Sequence, residues 1–206
     1  MRMTMVTRVG SMVVLVVALA ACGGPARNVQ RIGTDTQTDL SGQWNDTDAR
    51  LTSEALIGQC FSAPWLANFV GEQGRKPTMR VRTIVNKTDE HIDAQVFVKN
   101  IERAMVNSGK VKVVAQEGSE LGSVNSEQDY GAGGRVSDES APSLGNQTGG
   151  DFVLVGRMAS ILDQVEGKRA KFYKITFELI NATSSEKAWI GDHEIKKIIT
   201  QDSVGW

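Results

Sequence analysis

The chain has 206 residues, 23 Lys and Arg against 24 Asp and Glu, and a formal net charge of −1. That balance excludes a strongly basic surface, so neither nucleic acid nor another polyanion is an expected partner. The two cysteines, Cys22 and Cys60, match no metal-ligand spacing, and the length suits a single folded domain that relies on its apolar core.

The first residues read as a targeting segment. Arg2 and Arg8 form a basic leader, Met12 to Ala21 is an apolar run too short to span a bilayer stably, and Cys22 follows small residues directly. Leu19-Ala20-Ala21-Cys22 resembles the lipobox of bacterial lipoproteins. There, small residues admit the peptidase, and only a thiol can form the thioether to lipid. The expectation is a signal peptide over residues 1–21 and a mature protein that starts at Cys22, held to a membrane by acyl chains. Gly23 in place of Asp directs such a lipoprotein to the outer membrane in bacteria that sort by that residue. Removing the leader takes the basic count from 23 to 21 against 24 acids, a mature charge of −3.

Residues 22–44 are rich in Gly, Thr, Gln, Asp and Asn and read as a flexible tether. About 25 residues to Thr47 span at most roughly 80–90 Å. The single α/β periplasmic domain is expected over 45–206. Asn45-Asp-Thr-Asp48 offers N-cap oxygens for a helix from about Ala49 to Phe61, with Leu56, Ile57, Cys60 and Phe61 on its buried side. Pro64 suits the first turn of a short helix over Trp65 to Val70, in which Trp65 and Phe69 read as core.

Met79 to Asn86 alternates apolar and polar side chains at period two, and Val111 to Ala115 repeats the pattern. Between them Val96, Phe97, Ile101, Ala104 and Met105 share one helical face, with Asp93 as cap and Gly109 as stop. Strand, helix, strand implies parallel pairing through a crossover. From 117 to 150 the pattern is lost. Weak helices are expected over Glu117 to Asn125 and Ser137 to Gln147, and the run reads as a mobile insertion. Gly131-Ala-Gly-Gly134 lacks the lysine and the strand-to-helix setting of a phosphate loop. Phe152 to Leu162, Lys171 to Asn181 and Ala188 to Ile199 then form three strands joined by hairpins. The fold class is α/β: a mixed parallel/antiparallel sheet with helices packed on it, a β-α-β core followed by antiparallel hairpins.

Catalytic machinery is not expected. His193 lies between Asp192 and Glu194, but strand alternation sends it to the opposite face from both, and His91 stands alone in a loop. Neither a nucleophile elbow nor a zinc-binding helix motif occurs. No catalytic residue, metal, cofactor or small-molecule substrate is therefore expected.

Val29 to Thr200 resembles the LpoB-type outer-membrane lipoproteins, which activate peptidoglycan synthases, and the related amino-terminal domain of TolB. The likeness rests on Leu40-Ser-Gly-Gln-Trp-Asn-Asp-Thr-Asp48, Cys60-Phe-Ser-Ala-Pro-Trp65, Ile92 to Val114 with its Asn107-Ser-Gly109 helix end, and Phe177 to Trp189. It implies a TolB amino-terminal-domain-like fold at the periplasmic face of the outer membrane, docking on a small periplasmic domain of a class A penicillin-binding protein. A lipoprotein of a secretion or envelope-assembly system with a related fold is the alternative. A membrane pore would need long lipid-facing strands that the polar, glycine-rich 117–150 region cannot supply.

Overall fold

The computed structural model describes residues 28–200. The signal segment, Cys22 and the rest of the lipobox fall outside them. Two compact units divide between Thr36 and Gln37. In the first, the described residues hold a turn closed by the Thr36 N–H donating to the Gly33 carbonyl at 3.1 Å. Gln37–Trp44, placed in the tether by sequence, belongs instead to the second unit.

The second unit opens with α1 (Asp46–Ser62) and α2 (Pro64–Gln73). Helix α1 starts three residues before the expected Ala49, because Asn45 rather than Asp48 is the cap. The Asn45 side chain accepts from the Asp48 N–H, and the Asp48 carboxylate accepts from the Asn45 N–H, which satisfies two free donors reciprocally. Pro64 opens α2 as expected, and the Trp65 indole donates to the Cys60 carbonyl at 2.7 Å, fixing the corner between the helices.

The expected first strand is two strands, β1 (Thr78–Val81) and β2 (Val85–Lys87). Both pair in parallel with the central strand β4 (Phe152–Val165). Val81 faces Leu154 and Val85 faces Arg157, so one side of the ladder has an extra residue. This bulge turns Ile84 into the core while Val85 points out, a change that period-two reading cannot foresee. Helix α3 (Ala94–Ser108) begins at the Asp93 cap and stops at Gly109, whose φ of 63° is the left-handed geometry the sequence implies. It leads to β3 (Lys112–Val113), shorter than expected and parallel to β1.

The insertion carries α4 (Ser119–Tyr130), continued by one wider turn over Gly131–Arg135. No helix forms over Ser137 to Gln147. The Ser137 carbonyl accepts from the Ser140 and Ala141 N–H groups for a single turn, then Pro142 has no N–H to continue it. Two hairpins complete the fold with β5 (Lys168–Asn181) and β6 (Lys187–Thr200), giving the order β3-β1-β4-β5-β6 with β2 beside β4.

One cluster forms the core. Leu56, Cys60 and Phe61 of α1, Phe97, Val98, Ile101 and Met105 of α3, and Leu154, Met158, Tyr173, Ile175, Phe177 and Leu179 of the sheet interdigitate on one sheet face. Gly156 makes room at its centre, since a Cβ there would lie 2.6 Å from the Phe177 ring. Among the described residues, no helix is long and apolar enough to cross a membrane.

Cys60 is 1% exposed, and burial pushes its thiol pKa up to about 12. In the native protein it resists alkylation by iodoacetamide at pH 8 and reacts once the chain is unfolded in urea. Rapid native labelling would place the thiol at the surface.

Candidate functional site

Strand alternation puts Lys171 and Lys197 on the core face, in line with Tyr173 and Ile195, and the register sets them opposite each other across β5 and β6. Each buried ammonium draws carboxylates from elsewhere in the chain. Lys197 donates to Asp39 at 2.7 Å, to Asp48 at 2.6 Å and to the Gln43 carbonyl at 2.9 Å. Lys171 donates to Asp89 at 2.9 Å and to Glu90. Glu90 also accepts from the Tyr173 hydroxyl at 2.5 Å and the Trp44 N–H at 2.9 Å. The Trp44 ring meets Phe97 and Tyr173 edge-on, with centroids 5.9 and 5.6 Å away. Residues 39–45 are thus strapped across the ends of β5 and β6.

The electrostatics follow from this pairing. Burial alone would raise the Glu90 carboxyl, but the donors from Lys171, Tyr173 and Trp44 outweigh it and hold its pKa below the usual range. Burial disfavours charge on Lys171 and Lys197, yet their carboxylate partners hold both above the ordinary lysine value. Hydrogen bonds from Lys197, Gln37 and Asn45 bring Asp39 down to about 2.

Beside the strap lies a cleft of 660 Å³ lined by Trp44, Asp46, Asp89, His91, Asp93 and Val96, among others. Two of its acids are committed locally, Asp93 as the cap of α3 and Asp89 to Lys171 and Ser160, while Asp46 is exposed at the start of α1. Among the described residues, no group of three His, Cys, Asp or Glu side chains is placed to hold a metal. His193 is half-buried on the core face, while Asp192 and Glu194 point the other way to Lys174, at 3.2 and 2.9 Å. The Gly131–Gly134 run follows a helix rather than a strand.

Helices α1 and α3 cover one sheet face only. On the other, the insertion lies beside β1, where Leu121 and Val124 share a 280 Å³ cavity with Arg80 and Val114. Arg82 pairs with Glu117 at 2.6 Å there. The outward side chains of β4, β5 and β6 are left half-buried or exposed.

The strap, Lys171 and Lys197 escaped sequence reading, although one signal was present. Both lysines occupy positions where alternation demands an apolar residue, and a cation there needs a partner. Cys22, Leu19, Ala20 and Ala21 lie outside the described residues.

A domain whose charged clusters hold its own segments together leaves the outer face of β4, β5 and β6 without a covering helix. Residues 48–195 match the family model described as peptidoglycan-synthase activator LpoB, and the chain belongs to that family. It is therefore a regulator of peptidoglycan synthases and not itself an enzyme. Among curated proteins, none matches the chain significantly. Similar solved structures include the LpoB C-terminal domain from Escherichia coli, at 14% identity and TM-score 0.40, covering 73% of this chain and 99% of that one. That from Salmonella enterica has 16% identity and TM-score 0.35, covering 65% and 94%. Lipoprotein GNA1162 from Neisseria meningitidis has 13% identity and TM-score 0.39, covering 62% and 88%. With TM-scores below 0.5, these likenesses add no weight to the family match.

Replacing Lys171 with Ala leaves the buried Glu90 without its cation and costs about 3 kcal/mol, near the low end for breaking a buried pair because Tyr173 and Trp44 still donate. Urea unfolding of wild type and variant measures it. The Asp39 contact is pH-dependent. Its folded pKa of about 2 lies below the ordinary 3.8, so its contribution is full above about pH 4 and is lost as pH falls toward 2. The stability of an Asp39→Asn variant should accordingly fall less than that of wild type between pH 4 and pH 2.

Proposed function

We propose that this chain is a lipoprotein anchored through acyl chains on Cys22 to the periplasmic face of the outer membrane, where it binds and stimulates a class A penicillin-binding protein. The family match over residues 48–195 carries the reading, because that family is described as activating peptidoglycan synthases, the broader class to which the proposed partner belongs. Leu19-Ala20-Ala21-Cys22 supports the anchor.

The folded unit restricts the reach of such an anchor. It begins at Gln37, so only about 15 residues separate it from Cys22, and these span at most roughly 50 Å. The partner's docking domain must then project toward the outer membrane to be met.

Cross-linking in intact cells followed by capture of this protein tests the reading. Recovery of a bifunctional penicillin-binding protein from the outer-membrane-associated fraction is expected, together with loss of membrane association when Cys22 is replaced by Ala. Recovery of secretion components alone would overturn the partner, and a Cys22→Ala protein that is processed and still sediments with the outer membrane would overturn the anchor.

A further inference from the structure

On the side of the sheet away from the helices, the register assembles an apolar patch at the far end of the ribbon. Ile161 faces Phe172 across β4 and β5, and Ala170 faces Ile198 across β5 and β6. Val165 continues the same face of β4. Ile161 is 65% exposed, Val165 70% and Ile198 66%. Exposed apolar side chains scattered singly mean little, but here Phe172 and Ala170 of β5 bridge Ile161 on β4 to Ile198 on β6 across one face of the sheet.

The border of the patch is cationic. Lys196 stands opposite Phe172, Lys168 opposite Val165, and Lys87 opposite Ala159, two residues before Ile161, with Arg157 one step further back. All four are exposed, and none forms an ion pair among the described residues. Asp163 lies between Ile161 and Val165 and Glu166 follows Val165, two acids without an ion pair among the described residues against the four cations, and the next acids along β6, Asp192 and Glu194, are both held by Lys174. A chain of net charge −1 therefore carries a locally positive frame around its exposed apolar cluster.

We infer that this patch is the surface on which the synthase docks, and that it meets a protein surface of apolar side chains bordered by carboxylates. The inference rests on the partner reading above. Complementarity chooses the occupant: an apolar centre excludes water from the contact, and a cationic border steers an acidic partner and repels a basic one. A second copy joined face to face about a two-fold axis would set cationic border against cationic border. The helical side offers no comparable cluster, since Val96 and Val106 stand singly on α3.

The test uses the unlipidated mature chain, residues 22–206 with Cys22→Ser, and the purified periplasmic region of a class A penicillin-binding protein from the same cell. Biolayer interferometry should show Ile161→Glu with Ile198→Glu binding at least about tenfold more weakly, as for loss of central contact residues. Lys87→Glu, Arg157→Glu and Lys196→Glu together should weaken binding and flatten its salt dependence. Val106→Glu, equally exposed on α3, should bind like wild type. Circular dichroism should show every variant folded, because no substituted side chain is buried. Wild-type affinity in the Ile161→Glu/Ile198→Glu variant overturns the docking face and leaves the partner reading standing. A wild-type chain that binds no such synthase overturns both. Binding to phosphatidylglycerol vesicles, or self-association, that the double variant loses while it keeps synthase binding reassigns the patch and also overturns the inference.

Discussion

The three long strands outrun the helices that cover them, and much of the architecture answers that mismatch. Strands β4, β5 and β6 have 14 residues each, which extend to about 46 Å. Helix α1, with 17 residues, is about 25 Å long, and α3, with 15, about 22 Å. The apolar core accordingly ends near Met158, Tyr173 and Ile195, and the ribbon continues beyond it. On its core face the continuation is covered by the strap and by the loop after β2, fastened to the two facing lysines. Its other face has no cover.

Two lysines on a core face are costly unless each is fully paired, because taking an ammonium out of water costs several kcal/mol. Here each reaches at least two carboxylate oxygens. Such pairs contribute little net stability compared with well-packed apolar residues, but they bond only partners at the right place. A Leu at position 197 would accept any apolar segment, whereas Lys197 demands Asp39, Asp48 and the Gln43 carbonyl together. The pairs therefore fix where residues 39–48 lie on the domain.

The strand-helix-strand unit was legible in outline from local rules, the helical period and its Asp93 cap and Gly109 stop, but the buried face was read slightly off: Val96 is exposed and Val98 is buried in its place. The alternation of β5 and β6 showed which side of His193 its acidic neighbours take, since a strand cannot turn one residue over without a bulge. The bulge between β1 and β2 was hidden for the same reason. It depends on the register of β4, seventy residues away, and leaves no mark in the Arg82-Thr83-Ile84 run itself. Ion pairs between Lys197 and Asp39 span 158 residues, and no periodicity announces them. The start of the folded unit at Gln37 was missed with them, because the polar composition of residues 37–44 describes a tether and a salt-bridged strap equally well.

An activator without catalytic groups can act only through differential binding. Contact that is equally favourable to the idle and the working enzyme shifts nothing, however tight it is. To raise the working population tenfold, while it is still the minor state, the domain must bind that state about 1.4 kcal/mol more tightly, which one well-buried apolar side chain or one good charge-assisted contact can supply. A rigid surface suits this task better than a pliable one, since a surface that remodels itself to either state loses the difference. The paired strands, the single core and the lysine-held strap supply that rigidity. The binding face of such a domain is best sought on its longest continuous hydrogen-bonded element, which is the β4–β5–β6 ribbon.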